Sequence, residues 1–197
     1  MDRREYIKNT ALALGLGISG TSLSSIFMSC SKEVNLTWKP LFLSPLQASL
    51  IEEITETILP KTKTPGAKEL GVPQFIDKVV GKTMKKDNQK AFVENLDNFD
   101  KSCQQQYAKG FLELDASQKN EFLLALDKAS PPSAMSVWGI NLEPNLPNAT
   151  FYKQLKALTL TGYYTSKEVG EHILGYDPVP GEFIPCVPVK GMNSWNE

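Results

Sequence analysis

The chain has 197 residues, 41% of them hydrophobic, with Lys+Arg 21 against Asp+Glu 22, one His and three Cys. That length suits one domain with a sizeable core, and a net charge of -1 lacks the basic excess of a nucleic-acid binder. A single His excludes multi-His metal sites and disfavours a His-based triad, and Cys30, Cys103 and Cys186 are too scattered for a zinc ribbon or a Cys-ligated cluster.

The chain opens with Arg3-Arg4-Glu5-Tyr6-Ile7-Lys8, the paired-Arg pattern of a twin-arginine export signal. Residues 11–28 follow without a charge, diluted by Gly15, Gly17, Gly20 and several Ser, in a run long enough to span a bilayer. A transmembrane anchor or a general secretion signal would share that run, but the context of the Arg pair favours the folded-export route. Ile26-Phe27-Met28-Ser29-Cys30 resembles a lipoprotein cleavage box, which would make Cys30 an acylated N-terminus; a plain peptidase site that discards Cys30 is the alternative. The export route carries proteins already folded, yet no GxGxxG, P-loop or CxxCH motif marks a cofactor in this chain. The signal therefore suggests a partner in need of transport.

Residues 31–43 read as a linker whose Trp38, Leu41, Phe42 and Leu43 are expected to staple it to the body. Ser44-Pro45-Leu46-Gln47 is a helix start with a capping box, and Pro60 stops that helix. Leu46, Leu50, Ile51, Ile54 and Ile58 form its expected inner face, with Glu52, Glu53 and Glu56 on a solvated opposite side. A Pro/Gly-punctuated connection over 61–71 leads to a helix at Val72-Pro73, with Phe75, Ile76, Val79 and Val80 inward. Phe92, Leu96, Phe99, Cys103, Tyr107 and Phe111 recur at steps of three and four, which predicts a long amphipathic helix over 88–111 with an inert, buried Cys103. Asp115 and Gln118 form a second capping box, opening a helix that buries Phe122, Leu123 and Leu126.

Residues 130–148 are an irregular, Pro-rich excursion holding Trp138, of the kind that is usually functional. Asn148-Ala149-Thr150 matches a glycosylation sequon but is read as a helix cap. Phe151, Leu155, Leu158, Gly162 and Tyr163 continue a helical face, and a short helix over 167–174 carries His172, to which no catalytic role is given. In the tail, Pro178, Pro180, Pro185 and Pro188 prevent a helix, so residues 175–197 are expected to form an extended strap. The reading is all-α: a signal over 1–30 with a lipobox-like end, a linker over 31–43, and one compact multi-helix domain over 44–197 that includes the Pro-rich strap. Trp138, Tyr163, Tyr164, Tyr176, Phe183 and Trp195 are the aromatic candidates for partner contact, with Pro178, Pro180 and Cys186 beside them in the strap. Tyr163 equally suits a place in the chain's own core. For Cys103 and Cys186, free thiols are expected ahead of an internal disulfide or a bond from Cys186 to a partner.

Four stretches, in order, resemble the gluconate 2-dehydrogenase subunit 3 family. They are the export-type N-terminus; Leu59-Pro60 with Thr64-Pro65-Gly66-Ala67 and Gly71-Val72-Pro73-Gln74-Phe75-Ile76-Asp77; Phe151 through Tyr163-Tyr164-Thr165-Ser166; and Tyr176-Asp177-Pro178-Val179-Pro180-Gly181 with Cys186. The resemblance implies a small, non-catalytic subunit of a membrane-associated sugar or sugar-acid dehydrogenase, of gluconate 2-dehydrogenase or glucoside 3-dehydrogenase type. The partner it implies is a large FAD-dependent flavoprotein of the glucose-methanol-choline type, often with a c-type cytochrome as electron acceptor. The small subunit would carry the signal, take the flavoprotein into the periplasm and stabilise it there. No catalytic, cofactor-binding or metal-binding residue is carried over. Two other classes stand beside it: a stand-alone periplasmic lipoprotein that binds or scaffolds, and an enzyme using Glu/Asp pairs, against which the acids sit mainly on expected helix surfaces.

Overall fold

The computed structural model describes residues 36–130 and 146–174, together with Gly181 and Cys186. Five α-helices build the body: α1 Pro45–Ile58, α2 Val72–Lys78, α3 Lys86–Tyr107, α4 Ala116–Ala129 and α5 Asn148–Tyr164. Wide π-type turns over Val79–Thr83 and Val169–Ile173 extend α2 and follow α5, and a 3-10 turn over Phe111–Glu113 links α3 to α4. Among the described residues there is no strand, so the all-α expectation holds. None of these helices is long and apolar enough to cross a membrane.

Local chemistry sets the helix starts. Ser44 caps α1 and Asp115 caps α4, each accepting from the amide three residues on while Gln47 and Gln118 return the bond to the cap's own N–H. Asn148 departs from expectation. It is the first helical residue of α5, and Pro147 occupies the cap position without a side-chain bond. The helix over 88–111 also ends earlier than predicted, because Ala108 turns into the left-handed region at φ 55° and Phe111 re-enters the core from the 3-10 turn.

The centre of the body is α1, which packs against α2, α3, α4 and α5. Encirclement widens its buried arc beyond the aliphatic stripe. Ala48, Glu52 and Thr55 are buried along with Leu50, Ile51 and Ile54, whereas Leu46 falls off the edge and is exposed. Around α1 the aromatic rings interlock edge to face: Phe92 of α3 meets Phe151 of α5 at 5.4 Å, and Phe99 meets Phe122 of α4 at 5.3 Å. Cys103 is buried among them as a free thiol, and its desolvated site pushes its pKa from 9.0 to about 11.

The compact unit begins at Leu36, so the end of the expected linker belongs to the body. The apolar staple expected from sequence forms in part, through Trp38 and Leu43. Leu43 is buried, but Leu41 and Phe42 face outward, and the carboxylate of Asp77 on α2 holds the backbone instead. It accepts the amide N–H groups of Leu41 at 2.6 Å, Phe42 at 3.1 Å and Leu43 at 2.9 Å. A single carboxylate thus satisfies three consecutive donors that no helix or strand would pair.

Candidate functional site

The residues quoted for the family resemblance are far apart in sequence, yet 59–77 and 159–166 meet at one corner of the body. The corner starts from the C-terminal half of α1. Glu56 accepts the Lys61 amide at 3.0 Å and the Lys68 amide at 2.9 Å, which curls the 61–71 connection back over its own helix. Ala67 donates to the Leu59 carbonyl and Val72 to the Ala67 carbonyl, so the loop closes directly into α2. Gly66 lies against this carboxylate. A Cβ there would collide with Glu56 and sit 2.8 Å from the Lys61 amide nitrogen, which is backbone and cannot yield.

The end of α5 forms the other wall. Gly162 lets the Phe75 ring press close against the helix, where a Cβ would come within 2.7 Å of Phe75 Cδ1. One residue on, the Tyr163 hydroxyl donates to the Pro65 carbonyl at 3.0 Å, tying α5 to the loop. Tyr164 then turns outward, 52% exposed, with its ring edge-on to Tyr163 at 5.4 Å. Along the loop, closed by Glu168 from the segment that follows α5, lies a surface depression of ≈ 480 Å³ lined by residues 61–65, Glu69 and Leu70. The Lys61–Glu69 ion pair at 2.9 Å crosses its rim.

The acids of α1 are not the solvated face that the sequence suggested. Glu52 is buried, accepting from Trp38 Nε1 at 2.9 Å and pairing with Lys68, whose pKa that hydrogen bond raises. Glu53 pairs with Lys119 at 2.8 Å, and Glu56 organises the loop. The reason is the position of α1: a helix surrounded by others has no wholly wet side, and acids at its margins recruit amides and lysines. Burial alone did leave a signal for Asp77 and Glu52. Asp77 falls in step with Pro73, Ile76 and Val80, and Glu52 with Ala48, Ile51 and Thr55, so each lies on the inward stripe.

Of the aromatic residues singled out from sequence for partner contact, two are among the described residues: Tyr163 is built into the fold and its neighbour Tyr164 presents a surface. Cys186 is exposed, with a free thiol. His172 is exposed and lies 3.4 Å from Glu168, the position of a surface residue. Arg3, Arg4, Tyr6, Ile7, Lys8, Cys30, Trp138, Tyr176, Pro178, Pro180, Phe183 and Trp195 lie outside the described residues. No group of three His, Cys, Asp or Glu among the described residues could hold a metal ion. What the corner offers is a braced loop, a depression lined mainly by Lys, Thr and Glu, and one exposed Tyr, which alone among these is a residue type enriched at protein interfaces.

The family model of gluconate 2-dehydrogenase subunit 3 matches residues 45–181, from the first helical residue of α1 to beyond the end of the described body. No curated protein and no solved structure matches the chain. The chain belongs to the gluconate 2-dehydrogenase subunit 3 family, and with it to the subunits of a dehydrogenase complex.

Proposed function

We propose that this member of the family is the non-catalytic small subunit of a periplasmic FAD-dependent dehydrogenase of the glucose-methanol-choline type, oxidising a sugar or sugar acid. In this reading it carries the twin-arginine signal, escorts the flavoprotein out of the cytoplasm and stabilises it there. Cys30 supplies a lipid tether, and a c-type cytochrome takes the electrons. The observation that carries the reading is the corner of 59–77 and 159–166. Gly66 and Gly162 give the close contacts of this corner by lacking a Cβ, the Tyr163 hydroxyl ties α5 to Pro65, and what is left outward is Tyr164 and the depression that Pro65 helps to line. A surface made rigid before binding loses little entropy on docking, and an exposed Tyr is a favoured anchor.

The test is co-expression with the flavoprotein, following its FAD fluorescence in the periplasmic fraction. With the parent chain, holo-flavoprotein is expected in the periplasm and in a pull-down on the small subunit. Replacing both Arg3 and Arg4 by Lys should retain both proteins in the cytoplasm. Tyr164→Ala should leave the small subunit folded and exported but weaken capture at least about tenfold, the loss of one interface anchor. Normal delivery of the flavoprotein in the absence of this chain would refute the escort role.

A further inference from the structure

We infer that the outward face of residues 41–46 is a second membrane contact, which lays the helical body against the lipid surface beside its tether. The inference rests on the membrane-tether part of the proposed function. Leu41 is 57% exposed, Phe42 38% and Leu46 61%, which places three large apolar side chains outside within six residues. Their exposure is held in place. Asp77 fixes the backbone of 41–43 through three amides, and the Ser44–Gln47 capping box fixes the helix start that carries Leu46. The Phe42 and Leu41 side chains also bear on Gly81, in the turn that ends α2.

Two features indicate lipid as the occupant. The first is chain length. Leu41 follows Cys30 by eleven residues, so an acylated Cys30 keeps the patch within about 40 Å of the bilayer even at full extension. The second is the charge around the patch. Lys39, Lys82, Lys85, Lys86 and Lys90 are all exposed on the linker, the α2 turn and the start of α3, against Asp87. On the side of Phe42 toward α3, a depression of ≈ 340 Å³ is charge-balanced, with Lys90 and Lys101 set against Glu94 and Asp97, so the lysine excess lies on the linker, the α2 turn and the first turns of α3. Leucines and an aromatic ring with lysines at the margin are the composition of an interfacial contact, where apolar groups enter the headgroup boundary and cations meet lipid phosphates. Such a contact adds a second signal to a lipid tether, and it fixes the orientation of a body that the tether alone leaves free.

The experiment uses the full chain, purified from the membranes of exporting cells as a Cys186→Ser variant and reconstituted into vesicles of phosphatidylethanolamine and phosphatidylglycerol. Cys103 is buried, so an environment-sensitive fluorophore can be placed singly through Leu41→Cys, Leu46→Cys or Leu124→Cys; Leu124, 54% exposed on α4, is the control. The chain lacking an added Cys is the labelling blank. Probes at 41 and 46 should shift to the blue, be quenched by bromine-bearing acyl chains and lose iodide quenching several-fold, while the probe at 124 stays water-like. If the chain floats with the vesicles but 41 and 46 are as open to iodide as 124, the second contact is refuted and the tether stands. If the chain fails to float, the tether fails and the inference with it. Shielding of 41 and 46 by the flavoprotein without vesicles would instead assign the patch to a protein interface and overturn the inference.

Discussion

Removing the Asp77 carboxylate tests the clamp on residues 41–43, separately from the Trp38–Glu52 bond and the buried Leu43 that also hold the entry segment. Asp77→Ala leaves three amide donors without their acceptor, previously bonded at 2.6, 3.1 and 2.9 Å. They are not equivalent. The bonds to Leu41 and Phe42 are part-buried at exposed residues, so those amides can turn to water at a cost of about 0.5 kcal/mol each. The bond to Leu43 is buried, and an unpartnered buried donor costs about 1–3 kcal/mol. The expected loss is therefore about 2–4 kcal/mol, a large part of the stability of a domain this size. Asp77→Asn keeps one acceptor oxygen but turns an amide donor toward a backbone donor, so it should fall between the parent and the alanine variant. Urea denaturation measures the total, and native-state hydrogen exchange at Leu41, Phe42 and Leu43 locates it. The Leu43 amide should lose protection by at least about tenfold. Asp77→Ala with stability within about 0.5 kcal/mol of the parent and an unchanged Leu43 exchange rate would refute the clamp.

Four further outcomes follow from the structure. Ala108 holds a left-handed conformation at φ 55° in an exposed C-cap, so Ala108→Gly should stabilise the chain by about 1 kcal/mol and raise Tm by about 2–4 °C in a thermal melt. Gly162→Ala forces a methyl to within 2.7 Å of the Phe75 ring and should cost about 1–3 kcal/mol in urea; an increase in stability, as expected for an ordinary helical Gly→Ala change, would show that Phe75 moves freely. Burial raises the Cys103 thiol from 9.0 to about 11 and the Tyr152 hydroxyl from 10.0 to about 12. For a raised folded-state pKa the stabilisation is complete below the unfolded value, so stability should be flat to about pH 9 and then fall as pH rises toward 11 and 12, with Cys103→Ala flattening the first part of the decline. The same burial should keep Cys103 unreactive toward a thiol reagent at pH 8 until the chain is unfolded.

The parts of this protein that read directly from sequence are those decided within one turn of helix. Ser44 with Gln47 and Asp115 with Gln118 contain both partners of their capping boxes, so nothing distant was needed to place the starts of α1 and α4. The aromatic steps of α3 marked Phe92, Leu96, Phe99 and Cys103 as core for the same reason: periodicity is local, and a 22-residue helix repeats it often enough to be unambiguous. The family, too, was legible from ordered stretches, and the match over 45–181 bears it out on the three that lie within that span, the N-terminal stretch and Cys186 falling outside it.

What the tertiary structure alone decided is where each polar group finds its partner and which aromatic stays outside. Glu52, Glu53 and Glu56 look like a wet helix face until α1 is surrounded, and then each takes a partner at a different distance along the chain: Trp38 and Lys68, Lys119, and the amides of Lys61 and Lys68. Asp77 and the amides it holds are more than thirty residues apart, so helical periodicity could mark it as inward without revealing what it was inward for. Tyr163 and Tyr164 are adjacent and chemically identical. The close seat of Phe75 on Gly162 and the reach of one hydroxyl to the Pro65 carbonyl bury the first and leave the second exposed. Periodicity is a property of one helix, whereas the pairing of a buried charge or hydroxyl depends on which other segment arrives beside it.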